Sequence, residues 1–165
     1  MNQAREAFSM LSAHQLSFLN AVSPLQLAYL VVGGFAVRYH NCPRLTQDLD
    51  VFVERTESNV DDLILVMSQL GATNLDRARD HLLRTETKTL FHDVELFSSM
   101  RGLEFQELFR NRVIVDFQGL KLSVISIHHL KITKRLALQD SERAQRWHID
   151  RQDLECLEKQ NETTG

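Results

Sequence analysis

Three stretches of this chain have the residue types and spacing that phosphate chemistry needs. The first is Val31-Val32-Gly33-Gly34-Phe35. A strand ending in a glycine pair at the start of a helix offers backbone N–H groups and the positive end of the helix dipole, with no side chain in the way. An ordinary turn has the same spelling. The second is Asp48-Leu49-Asp50. On a strand, residues i and i+2 share a face, so both carboxylates converge on one point. That suits Mg²⁺, which takes one or two protein carboxylates and completes its octahedron with water and substrate phosphates. With two ions, one activates the attacking oxygen and the other stabilises the leaving pyrophosphate. A solvated strand face would carry the same two aspartates. The third stretch runs from Leu90 to Phe97, where Asp93, Glu95 and Phe97 alternate with His92, Val94 and Leu96. The conjunction of glycine pair, Asp-x-Asp and later carboxylate carries more weight than any of the three alone.

Further along, Lys134 falls in an apolar helical stripe with Leu130, Ala137 and Leu138, where an unpaired ammonium is costly. It needs an anion, either a triphosphate or a carboxylate of the last helix. Asp150 and Asp153 share a helical face with Leu154 and Leu157 and are expected to face inward. Arg38, Arg44 and Thr46 flank the Asp-x-Asp, and Arg44 suits a phosphate or an aspartate equally. Basic residues outnumber acids between Arg101 and Arg135, which would guide RNA or a nucleotide, or simply form a solvated face.

Other chemistries find no support. There is no G-x-x-x-x-G-K-[ST] and no G-x-G-x-x-G. His128 and His129 are adjacent and diverge by about 100° on a helix, unlike the i, i+4 pair of a zinc site. No G-x-S-x-G occurs, and Cys156 has no evident histidine partner. Cys42 and Cys156 lie far apart and form no C-x-x-C, so no disulfide framework is expected and a reducing cytoplasm fits. Trp147 reads as a packing anchor.

The elements that must position these residues are those of one α+β domain spanning residues 1–165. The chain has a net charge of -3, 43% hydrophobic and 25% charged residues, enough for a core and without the basic coat of a non-specific nucleic-acid binder. The spacing predicts a helix over Ala4 to Val22, interrupted in its apolar face by Gln15. Strands are expected over Leu25 to Val32, Leu45 to Val53 and Leu90 to Phe97, with a short helix from Phe35 to His40. Ser58 with Asp61 reads as a variant capping box opening a helix that Gly71 ends, while Thr73 to Leu83 is weakly patterned. A helix over Gly102 to Arg110 precedes a hairpin, Val113 to Phe117 and Leu120 to Val124, turning at Gln118-Gly119. Ser126 caps a helix to about Leu138. A charged loop, Gln139 to Arg146, leads to a last helix from about His148, and the tail from Gln160 to Gly165 is expected to fray. Neither a secretory signal in Met1 to Met10 nor a membrane span is expected.

In order and spelling these motifs resemble the nucleotidyltransferase-fold proteins of the DNA polymerase beta-like superfamily, and among them small bacterial nucleotidyltransferases related to the abortive-infection and type IV toxin group. Gly33-Gly34, Arg44-x-Thr46-x-Asp48-Leu49-Asp50 and Val94-Glu95-Leu96 carry the resemblance. It continues through Gly102 to Phe105, the Gly119 hairpin, Ile125 to Leu130, Lys134-Arg135 and Asp150-x-x-Asp153-Leu154.

The resemblance implies a small mixed sheet flanked by helices, with C-terminal helices closing the active site. Asp48, Asp50 and Glu95 would bind Mg²⁺ or Mn²⁺, with Asp93 the runner-up for the third place and Glu95 a ligand or general base. Gly33, Gly34, Arg44, Thr46 and Lys134 would bind the nucleotide. Lys134 and Asp150 would belong to the active site, with Asp153 a supporting or structural residue. An NMP would pass from an NTP such as ATP to an acceptor hydroxyl on RNA or tRNA, protein or a small molecule, releasing pyrophosphate. Two positions depart from the pattern: Glu95 stands where the family most often has Asp, and Ile149 where it usually has Lys. These motivate the alternative of a non-catalytic nucleotide-binding or regulatory module with a cognate partner protein in a two-component stress or toxin–antitoxin system.

Overall fold

The computed structural model describes residues 3–160. Six strands form one mixed sheet: β1 (Tyr29–Val32), β2 (Leu49–Val53), β3 (Thr89–Phe91), β4 (Val94–Phe97), β5 (Val113–Phe117) and β6 (Leu120–Val124). Their spatial order is β3-β4-β2-β1-β6-β5. β1 runs antiparallel to β2 and parallel to β6, and β2 runs parallel to β4. The outer pairs β3–β4 and β5–β6 are antiparallel hairpins. The architecture is α+β, as the sequence implies.

Among the described residues eight helices surround the sheet: α1 (Gln3–Phe8), α2 (Ala13–Val22), α3 (Gly33–Tyr39), α4 (Glu57–Gln69), α5 (Leu75–Arg84), α6 (Phe105–Arg110), α7 (Ile127–Ala137) and α8 (Trp147–Glu158), with a 3-10 helix at Ser141–Arg146. The largest fully buried side chains include Phe8, Phe18, Phe35 and Phe52. No helix among the described residues is long and apolar enough to cross a membrane.

Several expected elements are divided or shortened. The single helix over Ala4 to Val22 is two, broken where Ser12 and Gln15 form a capping box that starts α2. Gln15 is buried, and its amide donates to the carbonyls of Gln47 (2.7 Å) and Asp93 (3.0 Å), tying α2 to the loop before β2 and to the β3–β4 turn. The strand over Leu90 to Phe97 is a hairpin, because His92 adopts φ +52 and reverses the chain at His92-Asp93. β1 begins at Tyr29 and β2 at Leu49, so Leu25 to Ala28 and Leu45 to Asp48 lie outside the ladder. Thr56, not Ser58, caps α4 by accepting from the Asn59 N–H. The weakly patterned stretch after Thr73 is α5, and the charged loop after Gln139 is largely the 3-10 helix.

The Gln118-Gly119 hairpin and the Ser126 cap are as expected. Both turn residues have positive φ, the geometry of a tight hairpin turn. Trp147 donates its indole N–H to the Ala137 and Asp140 carbonyls and so anchors the start of α8. Apart from Gln160, the expected frayed tail lies outside the described residues.

The cysteines correct the sequence reading. Cys42 and Cys156 form a disulfide with their Cα atoms 5.9 Å apart. Their separation of 114 residues hid a contact that the fold makes by laying α8 against the loop after α3.

Candidate functional site

β1 and β2 pair so that Val32 lies opposite Asp50, and the chain then turns through Gly33 into α3. Gly33 has φ +65, and a Cβ there would fall 2.1 Å from Asp50 Oδ2. A Cβ on Gly34 would fall 2.6 Å from Thr46 Oγ1 and 2.9 Å from Arg44 Nη1. The glycine pair is therefore the surface against which Asp50, Thr46 and Arg44 lie. Any side chain there would displace one of them.

The parallel β2–β4 register places Glu95 beside Asp50, and Phe97 beside Phe52 two residues on. Asp50, Glu95, Phe52 and Phe97 accordingly share one face of the sheet. Burial, then the hydrogen bond and negative charge of Glu95, push the Asp50 carboxyl up to about 7. Burial also works to raise Glu95, but its hydrogen bond with Asp50 and the Lys88 ammonium outweigh this and hold it below the usual range. Lys88 Nζ is 3.1 Å from Glu95 Oε2 and lies 5.5 Å above the centre of the Phe97 ring. Arg146, at the entry to α8, adds positive charge near Glu95.

Asp48 borders this pair. It precedes β2, is exposed, and exerts the weakest of the charge effects felt by Asp50. β2 begins at Leu49, so Asp48 lies one residue outside the ladder. Asp93 sits in the β3–β4 turn, where its carbonyl accepts from the Leu49 N–H at 2.8 Å. Glu95, and not Asp93, is the in-register neighbour of Asp50. Among the described residues, no group of three or more His, Cys, Asp or Glu side chains is arranged to hold a metal ion.

The C-terminal residues form a second cluster. Lys134, only 7% exposed, lies 2.9 Å from Asp153 Oδ2 and 3.4 Å from Asp150 Oδ1. Both aspartates face inward, as the helical spacing implies. Of the two anions open to Lys134 in the sequence, the carboxylates of α8 are the ones it touches here. Arg44 Nε donates to Asp153 Oδ1 at 3.1 Å, and Arg143 Nη2 donates to both oxygens of Asp150. Asp153 Oδ2 accepts no aligned hydrogen bond despite its closeness to Lys134. Arg44 joins the two clusters, touching α8 at one end of its guanidinium and the glycine turn at the other.

Ile149 is half-buried in the first turn of α8, next to Asp150. Arg38 is occupied by the carbonyls of Glu6, Ala7 and Arg44 and so fixes the loop carrying Arg44. Sequence reasoning missed Lys88, Arg143 and Arg146. Lys88 was concealed because a continuous strand from Leu90 onward gives it no route back to Glu95, whereas a hairpin does. Compared with known protein families and with curated protein sequences, the chain matches none.

Proposed function

We propose that this protein is a Mg²⁺-dependent nucleotidyltransferase of the nucleotidyltransferase fold, moving an NMP from an NTP to an acceptor hydroxyl with loss of pyrophosphate. The observation that carries the reading is the seating of the Asp50 carboxylate on the Gly33 turn with Glu95 in register beside it. Burial first, and then the hydrogen bond and charge of Glu95, raise Asp50, and a divalent cation would favour the ionised form of both carboxylates. The pair fits the one or two carboxylates that Mg²⁺ takes from a protein. Asp50 and Glu95 would hold the ion, with Asp48, whose charge also reaches Asp50, beside them. The ion would neutralise phosphate charge and favour the ionised acceptor hydroxyl.

The chain's own residues supply the rest. Gly33 and Gly34 admit the phosphates close to the backbone, and Arg44 and Thr46 border them. Lys88 and Arg146 place positive charge beside the carboxylates, where the leaving phosphates would gather. Glu95, which its hydrogen bond with Asp50 and the Lys88 ammonium hold below the usual carboxylate range, would be the one of the pair to accept the acceptor's proton. Lys134 and Asp150 act through their ion pairs, with Asp153, by fixing α8 and Arg44.

A second reading is a nucleotide-binding or regulatory module without turnover, motivated by Glu95 and Ile149, which stand where the resembled family most often has Asp and Lys. Transfer of α-labelled NTP label into a cell extract containing RNA, proteins and small molecules distinguishes the two. Incorporation that disappears in Asp50→Asn and Glu95→Gln supports the transferase. Metal-dependent NTP binding without incorporation supports the module, and neither activity would overturn both.

A further inference from the structure

Cys42 and Cys156 take no part in the chemistry proposed above, yet their bond joins the two segments that set the position of Arg44. Cys42 lies two residues before Arg44, and Cys156 lies three residues, close to one helical turn, beyond Asp153 on α8. The disulfide and the 3.1 Å Arg44–Asp153 pair are therefore neighbouring ties between the same two segments, one covalent and one ionic. Among the described residues, no other hydrogen bond or ion pair joins residues 41–48 to α8.

Without the sulfurs, neither segment holds the other firmly. Of residues 41–48, Cys42 alone is buried, and Leu45 is 87% exposed. The buried side chains of α8 are Asp150, Asp153 and Leu157, only one of them apolar, so the helix offers the loop little hydrophobic hold. The ionic tie is one that can be given up. Asp153 Oδ2 lies 2.9 Å from Lys134, so its charge keeps a partner when Arg44 leaves Oδ1. A buried carboxylate left with no cation would oppose that movement. Arg38 and Gln15 grip the loop only through the carbonyls of Arg44 and Gln47, which leaves the Arg44 side chain to its contacts with α8 and the glycine turn.

We propose that the Cys42–Cys156 bond is a thiol-operated switch on the glycine-turn site. Oxidised, it holds the loop against α8 and seats Arg44 between Asp153 and Gly34. Reduced, it lets the loop part from α8 and takes the guanidinium away from the turn. The reductant is a dithiol. Its thiolate attacks Cys156, the partly exposed member of the pair, the S–S bond breaks, and Cys42 leaves as a thiolate that takes up a proton. The second thiol of the reductant then displaces Cys156 from the mixed disulfide. Two electrons and two protons have passed to the protein, and the dithiol has become a disulfide. The effect on phosphate binding rests on the glycine turn being the phosphate site, whereas the release of Arg44 does not.

The test is NMR of the full chain when oxidised, after excess dithiothreitol without denaturant, and after reoxidation with oxidised glutathione. Reduction should go to completion, shift the amide signals of residues 41–46, α8 and Gly34, lower the heteronuclear NOEs of residues 41–46, and leave β1, β2 and β4 native. Reoxidation should restore the first spectrum. Cys156→Ser should give the reduced pattern without reductant and no longer respond to it. ATP with Mg²⁺, read from the Gly33 and Gly34 amides, should bind at least about fivefold more weakly to the reduced chain. A bond that resists reduction in the folded chain, shifts confined to the cysteines and their sequence neighbours, loss of the native spectrum throughout, or equal ATP affinity in the two states would each overturn the proposal. If ATP binds neither state, the nucleotidyl-transfer reading fails, and the signals of Gly34, residues 41–46 and α8 alone decide the switch.

Discussion

Asp50 and Glu95 lie side by side in register on parallel strands, and burial together with that neighbour raises the Asp50 carboxyl to about 7. A group held above its unfolded value stabilises the fold fully below the unfolded pKa and loses that contribution as pH rises through the folded one. The Asp50 contribution should therefore fall between about pH 4 and pH 7, by about 2 kcal/mol after allowance for coupling to Glu95. Urea melts across this range should show the decline in the native chain. Asp50→Asn should abolish it, Glu95→Gln should shrink it, and millimolar Mg²⁺ should offset it at pH 7. A decline identical in all three proteins would mean the carboxylates do not interact.

His40 imposes the opposite slope. It is buried with Nε2 2.8 Å from the Ile125 carbonyl, and loss of hydration holds its pKa below the ordinary value. Its contribution is complete above the unfolded pKa of about 6.5 and is lost as pH falls from there toward the folded value. Replacing His40 with Gln should flatten the acid side of the stability profile while leaving the Asp50 decline in place. NMR titration of the His40 ring would check the direction independently.

Gly33→Ala should be more damaging than Gly34→Ala. Both place a methyl group against a candidate site residue, but only Gly33 also has φ +65. The added strain and the clash with Asp50 together predict a loss of about 2 to 4 kcal/mol, against about 1 to 2 for Gly34. Denaturant midpoints would rank them, and equal midpoints would show that Asp50 moves aside freely.

Removing Asp153 leaves Lys134 and Arg44 without their shared partner in a buried setting. Asp153→Ala should cost about 3 kcal/mol, and Lys134→Met should recover part of that loss in the double variant, because it removes a buried ammonium left with only Asp150, which Arg143 already holds. A double-mutant cycle in urea measures the coupling. Additive effects would show that the two side chains do not depend on each other.

Thiol titration in denaturant should find no reactive sulfhydryl before reduction and both cysteines after it. By the chain-entropy account, a cross-link over 114 residues contributes about 4 to 5 kcal/mol, so dithiothreitol should lower the unfolding midpoint markedly.

Much of the local structure around the candidate site is legible in local patterns. The glycine pair, Asp50, Glu95, the Gly119 hairpin and the Ser126 cap all follow from rules acting over a few residues. What escaped depended on distant partners. Gln15 reads as a flaw in an apolar face, but it is buried because the carbonyls of Gln47 and Asp93 await it. The His92 turn was invisible because a histidine at positive φ carries no glycine or proline signature. Alternation groups Asp48 with Asp50, and the ladder shows only that β2 begins at Leu49, one residue after Asp48. The place of Lys134 in an apolar stripe calls for an anion but leaves its identity open, and only the packing of α8 brings Asp150 and Asp153 to it.

The Cys42–Cys156 bond also changes what a broken chain would be. It closes a covalent ring containing β2 through β6 and most of α8, with β1 and the first three helices on the strand leading into it. A protease that cuts a loop inside the ring makes two ends but no second molecule. The nicked protein would keep its mass apart from one added water, migrate as a single species without reductant, and separate into two pieces only when the sulfurs are parted.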